Sequence, residues 1–274
     1  MSSVNTNVGA MIALQNLNMT SSQLQQTQNI ISTGLKVSSA KDNGAVWAIA
    51  QSQRAQVSSL DSVKDSLSRS SSVVDVAMSA GQSVSDLLTQ MKAKALAASD
   101  TSLDTTSRNA MATDFKSLRD QITKTLSNAT FNGINIVDGT NSKISALANS
   151  AGTSVITVAG ENMSLGGSIV SVHTTATFAS ATSASNLLTS IDDSINNVSA
   201  ALAKLGTSST ALQNHNTFVG KLQDSLNQGI GNLVDADMAA ESAKLQALQA
   251  KQQLGVQALS IANQSTSSVL SLFR

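Results

Sequence analysis

The chain contains no cysteine and no proline, and aromatic residues make up only 2% of its 274 positions. The lack of cysteine excludes disulfides, thiol catalysis and thiolate metal sites. The lack of proline means that nothing obliges a helix to kink or stop. Glycine is the main breaker left, and long uninterrupted helices are allowed. Charged residues are 12%, well below the usual share of about 25%, so this is not the surface of an ordinary globular protein. Lys plus Arg and Asp plus Glu both number 17, giving a formal net charge of zero. No basic patch argues for nucleic acid or an acidic membrane. Near-zero charge instead favours self-association, because stacked copies accumulate no repulsion. No apolar run approaches the roughly 20 residues needed to span a bilayer. The first Lys or Arg is Lys36, so no conventional signal peptide or anchor is expected, and composition by itself assigns the chain to the cytoplasm.

What the chain does contain is helical periodicity. From Asn232 to Arg274 the apolar positions alternate spacings of three and four. Met238, Leu245, Leu259 and Phe273 form one row, Leu248, Gly255, Ala262 and Val269 a second, and Gln252 and Thr266 interrupt them. Such a seam marks a helix that needs other helices. At the opposite end Val4, Val8, Met11 and Ile12 open an apolar face, and Ala10, Leu17, Leu24 and Ile31 continue it at intervals of seven. Two amphipathic helices far apart in sequence thus bracket the rest, and each is expected to pair with the other.

Between them, a helix is expected over residues 3 to 34, ending near Gly34, where a left-handed glycine suits a C-terminus. Asp42 or Asn43 can cap the next helix, 44 to 99. Its seam rows run from Val46 through Leu60, Leu67, Val74, Gly81 and Leu88, and from Ile49 through Val63, Ala77, Val84, Met91 and Ala98. Unbroken, it is about 80 Å long. A third helix is expected at 106 to 129. Phe131, Asn132 and Gly133 follow as a turn, with Ile134 and Ile136 alternating as in a strand. The middle, 140 to 182, loses the helical period; short strands are expected at Val155 and Thr157 and at Thr174 to Phe178. From Ala184 the repeat is Ile191, Val198, Leu205, Leu212, Val219, Leu226 and Leu233, a helix matched to 44 to 99 and expected to lie antiparallel to it. The fold class is mainly α: long antiparallel helical rods in a nested coiled-coil arrangement with a small β-hairpin tip in mid-chain. Residues 1–40 with 235–274 form a terminal coiled-coil segment, 41–139 with 183–234 a helical rod domain, and 140–182 a short variable β-rich surface segment.

The chemistry-bearing residues offer no catalytic, metal or cofactor site. His173 and His215 stand far apart with no HExxH pattern. Gly81-Gln82-Ser83-Val84-Ser85 misses the nucleophile-elbow pattern and falls inside a helix. Gly229-Ile230-Gly231 lacks the third glycine of a dinucleotide loop and reads as a weak point between two helices. Asp235 and Asp237 read as helix-capping charges, and Trp47 as a helix anchor. The chain is expected not to be an enzyme.

The residues that carry a resemblance are Val4 to Asn7 (VNTN), Leu14-Gln15-Asn16-Leu17 and Ser32 to Ala45 (STGLKVSSAKDNGA) at one end. At the other they are Asp235-Ala236-Asp237, Gln252-Gln253, Ala262-Asn263-Gln264 and Val269-Leu270-Ser271-Leu272. Together they resemble bacterial flagellin, of a short type lacking large outer domains; Phe131-Asn132-Gly133 matches a motif after that family's third helix. The resemblance implies a structural subunit that self-assembles into the flagellar filament, the helical propeller of swimming, located outside the cell after type III export. The terminal segment would line the filament core, the rods would form an outer tube and the middle would face solvent. Subunit contacts are expected at Val4, Val8, Ile12, Leu17, Leu24, Ile31, Leu245, Leu248, Leu259, Ala262, Val269 and Phe273. Implied partners are further copies of the chain, the flagellar cap and hook-filament junction proteins, the export machinery and a secretion chaperone, with no nucleic acid and no membrane. O-linked sugars are expected on Thr174, Thr175, Thr177, Ser180 and Thr182, as on exposed surfaces of many flagellins. A hook-filament junction protein would share the terminal helices, and a cytoplasmic helical signalling hairpin would share the heptads without needing apolar ends or a β tip.

Overall fold

The structure, a computed structural model, describes residues 6–271, with side chains described as far as residue 264. Within that range the chain forms helices α1 (Val8–Thr33), α2 (Gly44–Ala98), α3 (Thr105–Asn128), α4 (Ala181–Val234) and α5 (Met238–Ser271), with strands β1 (Lys143–Leu147) and β2 (Val155–Ala159) between α3 and α4. It divides into two compact units: Met1–Ala55 with Ser225–Arg274, and Gln56–Asp224.

In the first unit the Asn7 side chain caps α1, its oxygen accepting from the Ala10 N–H at 2.9 Å. At the other end Gly34 adopts φ 72°, and its N–H reaches the Ile30 carbonyl at 2.8 Å. That left-handed turn is open to glycine at little cost. The connectors after α1 and α4 then pair: Leu35 bridges Asp235, the Lys36 N–H donates to the Val234 carbonyl at 2.7 Å, and the Ala236 N–H donates to the Gly34 carbonyl at 2.9 Å. Asp237 caps α5, accepting from the Ala239 and Ala240 N–H groups at 3.0 and 3.1 Å. α5 returns antiparallel along α1. Asn7 Nδ2 meets the Ala262 carbonyl at 2.8 Å near one end, and Leu17 lies over Gly255 farther along. The expected weak point at Gly229-Ile230-Gly231 is not a helix boundary. α4 runs through it to Val234, where the Asp235 carboxylate folds over the bare Gly231, within 2.6 Å of where a Cβ would stand.

In the second unit α2 and α4 run antiparallel, as the Lys92–Asp192 ion pair, the Gly81–Leu202 contact and the hydrogen bond from Gln223 Nε2 to Asp61 (2.8 Å) mark in order. The heptad rows meet: Leu67, Val74, Val84, Leu88 and Met91 of α2, and Ile191, Val198, Leu205 and Leu212 of α4, are all buried. α3 adds Phe115, Ile122 and Leu126, and Phe115 meets Phe178 edge to face at 5.3 Å and 66°. Asp104 caps α3. Buried Arg108 turns back to the end of α2, its guanidinium donating to the carbonyls of Ala98, Asp100 and Leu103 at 2.9–3.0 Å, which satisfies the last carbonyl of α2 and ties down the loop that follows it.

The hairpin pairs β1 with β2 antiparallel, from Lys143↔Ala159 to Leu147↔Val155, and buries Ala146 and Val158 on one face. It is fixed at Ser66, whose hydroxyl accepts the Leu147 N–H at 3.1 Å, and at His215, whose Nε2 meets the Ala148 carbonyl at 2.8 Å. Two local expectations are corrected. Thr174 to Phe178 forms no strand; Ala176 and Phe178 turn inward from a bent segment. Ile134 and Ile136 are not strand residues either. Between them buried Asn135 donates to the Leu126 carbonyl at 2.6 Å and accepts from the Val137 and Asp138 N–H groups, and these side-chain bonds bend the chain.

Candidate functional site

α1 carries no charged residue from Val8 to Thr33, and from Val8 to Met19 its apolar residues are spread around the cylinder, while from Ser22 to Asn29 the exposed positions are Ser, Gln and Asn. One stripe, Ala10, Leu17, Leu24, Thr27 and Ile31, is half-buried or buried on the side that meets α5. Thr27 and, beside the stripe, Thr20 are the buried residues of α1, so the inward face is small and partly polar. The opposite stripe is open to water: Val8 is 59% exposed, Met11 62%, Ile12 55% and Met19 52%. α5 repeats the pattern. Leu245, Leu248, Leu259 and Ala262 lie half-buried or buried on the inward side, whereas Leu254 and Ile261 are 64% and 67% exposed. A helix that is apolar all round is normally enclosed on all sides. This pair encloses itself on one.

The expected contact residues therefore separate. Leu17, Leu24, Ile31, Leu245, Leu248, Leu259 and Ala262 stand on the inward faces of the α1–α5 pair, while Val8 and Ile12 stand on its open face. Val4, Phe273 and the side chain of Val269 lie outside the described residues. Met11 aside, the heptad rows miss the rest of the open face: Leu14, Met19, Leu254, Val256 and Ile261 are all exposed. They sit off the rows, and the signal for them is apolar residues outside the seam: on α1 in a helix without charges, and on α5 in the stretch after Lys251, the last charge of the helix.

In the second unit Asn132 (φ 50°) and Gly133 (φ 77°) are both left-handed, and Phe131 and Ile134 exchange both backbone hydrogen bonds at 3.0 Å across them. This is the type I′ turn that an Asn-Gly pair favours. Phe131 and Ile134 remain partly exposed beside it. Thr174, Thr175, Thr177, Ser180 and Thr182 are all exposed; the Thr175 hydroxyl meets His173 Nδ1 at 2.8 Å, and that of Ser180 donates to Ser183 Oγ at 3.1 Å.

Exposed carboxylates fix three chain turns. Asp42 accepts from the N–H groups of Ser39 and Ser38 and from their hydroxyls, which hold its pKa below the ordinary 3.8. Asp104 is lowered by the Ser107 hydroxyl and N–H, and Asp100 by the N–H and hydroxyl of Ser102. Among the described residues no cluster of His, Asp or Glu could hold a metal ion, and no helix is long and apolar enough to cross a membrane.

Two family models match the chain: the bacterial flagellin N-terminal helical region over residues 4–142 and the bacterial flagellin C-terminal helical region over residues 188–273. The chain is 60% identical to flagellin FljM of Caulobacter vibrioides over 274 residues, covering 100% of this chain and 99% of the relative. It is 38% identical to a flagellin of Brucella melitensis, with both chains covered completely. A solved structure from Vibrio parahaemolyticus, provisionally named as a flagellar hook-associated protein, has a likeness limited to the fold: TM-score 0.59, 16% identity, covering 71% of this chain and 100% of that one.

Proposed function

Because the chain belongs to the bacterial flagellin family, we propose that it assembles through the open apolar faces of α1 and α5. As a flagellin it is a structural subunit of the extracellular flagellar filament, and its function is association with copies of itself for swimming motility. The observation that carries the proposed contact is the exposed set Val8, Met11, Ile12, Leu254 and Ile261, on helices whose other side already faces its partner within the chain. Each such side chain gives about 1.5–3 kcal/mol when fully removed from water, and a second copy of the same terminal unit offers matching apolar surface. Residues Val4, Val8, Ile12, Leu17, Leu24, Ile31, Leu245, Leu248, Leu259, Ala262, Val269 and Phe273 form the contact set, with Leu17, Leu24, Ile31, Leu245, Leu248, Leu259 and Ala262 acting by holding α1 against α5.

In the assembled filament, residues 1–40 with 235–274 form the core, 41–139 with 183–234 an outer tube, and 140–182 the solvent-facing segment. The cap and hook-filament junction proteins contact the same terminal helices, and a chaperone covers them before type III export. The Phe131-Asn132-Gly133 turn presents a fixed corner of the outer tube. Thr174, Thr175, Thr177, Ser180 and Thr182, exposed as acceptors must be, carry O-linked sugars; an intact mass of 28.1 kDa from native filaments would remove that assignment. The chain has no catalytic activity of its own. Electron microscopy of the purified, concentrated protein tests the assembly reading. Long tubes are expected from the wild type and none from Ile12→Asp. Tubes from both would reject the α1 face.

A further inference from the structure

We propose that Met11 and Met19 are oxidation sites through which peroxide controls assembly. The inference rests on the reading of α1 as a subunit contact. Both thioethers stand on the open side of α1, 62% and 52% exposed. With Leu14, Gln15, Asn18 and Ser22 they line one shallow surface that α5 does not cover. Met91 and Met163, in the second unit, are fully buried, and Met238, at the start of α5, is exposed but less so at 42%, so Met11 and Met19 are the most accessible methionines among the described residues. A peroxide reaches the exposed sulfurs directly: the thioether lone pair attacks one peroxide oxygen, the O–O bond breaks, and the sulfur is oxidised by two electrons to the sulfoxide while the peroxide is reduced to water.

The product is wrong for the face that carries it. Thioether is polarisable and adapts to irregular apolar surroundings, whereas the sulfoxide oxygen is a strong acceptor. α1 offers it no cationic partner, since no Lys or Arg lies between Val8 and Thr33. The donors beside it are the neutral side chains of Gln15, Asn18 and Ser22; buried between copies, each sulfoxide must capture one of these or stay unpaired, and a poorly paired buried acceptor is costly. The monomer itself loses nothing by the change, because both side chains are already in water. Oxidation should therefore raise the concentration needed for assembly without unfolding the subunit. Assembled copies should be shielded, since the contact that needs the thioethers also covers them.

The test uses the full chain as monomer and as filament, each treated with hydrogen peroxide, with sulfoxide located residue by residue by peptide fragmentation. Met11 and Met19 should convert in the monomer and be slowed at least about tenfold in filaments, with Met91 and Met163 reduced in both. Fully converted monomer should need at least about tenfold more protein to polymerise, roughly the weight of one poorly paired polar group. Methionine sulfoxide reductase should restore it, and the Met11→Leu, Met19→Leu double variant should polymerise equally before and after peroxide. Unchanged polymerisation of fully oxidised wild type, or peroxide sensitivity retained in the double variant, overturns the inference alone. Equal oxidation rates in monomer and filament overturn the contact reading beneath it.

Discussion

Both units are built from heptad helices, yet they use them differently. In the unit of residues 56–224 the seam rows close on one another: Leu67, Val74, Leu88, Ile191, Val198 and Leu205 are all buried. In the unit of residues 1–55 and 225–274 the same periodicity leaves α1 with Thr20 and Thr27 as its buried residues and α5 with Leu248 as its one buried apolar residue among those described. Repeat spacing thus states that a helix has a partner but not how many. A helix with a single apolar stripe can be completed by one partner within its own chain, whereas a helix apolar on two sides has surface left over for a second partner.

The largest effect should come from charging the open side. Ile12→Asp or Ile261→Asp forces a carboxylate into the contact between copies, at a cost on the order of several kcal/mol per copy, so filaments should disappear under the electron microscope. The midpoint of thermal unfolding should hardly move, because both positions are in water in the monomer. Leu259→Asp makes the comparison sharper: Leu259 faces α1 within the chain, so this variant should also lose filaments, but with earlier melting of α1 and α5. Filaments from all three variants would mean that the terminal unit is not the assembling one.

The closed unit should respond in the opposite way. Phe115→Ala removes a fully buried ring and its edge contact with Phe178. It should lose about 3–5 kcal/mol and lower the melting midpoint by roughly 10 °C, while the cold, folded subunit still polymerises. A variant that stayed stable but could not assemble would erase the distinction between the two units.

Acid should act on both alike. Asp42 in the first unit and Asp104 in the second are exposed carboxylates whose folded pKa values lie below 3.8. The stability each contributes is complete above 3.8 and is lost as pH falls through the lower folded value. Amide exchange at Ser39 and Ser107 should therefore be steady in relative protection from pH 7 to 5 and loosen only below 3.8. Loosening in one unit alone would show a difference in polar as well as apolar bonding. The smallest effect belongs to Thr175→Asp, on the exposed segment before α4, which should shift stability by less than about 0.5 kcal/mol and leave filaments ordinary.

The helices were legible because their signals are local. The rows through Leu205 and Leu67, Gly34 as a C-cap and Asp237 as an N-cap each act within a turn or two of chain. The mid-chain strands were half legible. Val155 and Thr157 do lie in β2, but β1 is the five-residue Lys-Ile-Ser-Ala-Leu stretch. Its alternation is too short to stand out, and its selection over Thr174–Phe178 depends on Ser66 and His215, distant in sequence. Gly229 and Gly231 misled for the same reason: a glycine's weakness in a helix is about 1 kcal/mol, which the surroundings of α4 outweigh. For the candidate site, Val8 and Ile12 were legible as apolar periodicity, but Leu254 and Ile261 were not, because a seven-residue row selects the face that closes and passes over the one that stays open.

One feature of α1 reaches beyond its own turns: from Val8 to Thr33 no side chain can take up or release a proton or attract a counter-ion. The α1 part of a contact has nothing for the Debye atmosphere to screen, and the charges of α5 are only Glu241, Lys244 and Lys251. Added electrolyte should act through water, by the exclusion of strongly hydrated ions from apolar surface. Sulfate and chloride at equal ionic strength should then differ, with sulfate driving the subunits together and chloride changing little. The α1 surface, having no charge of its own, answers to the lyotropic rank of the ions around it.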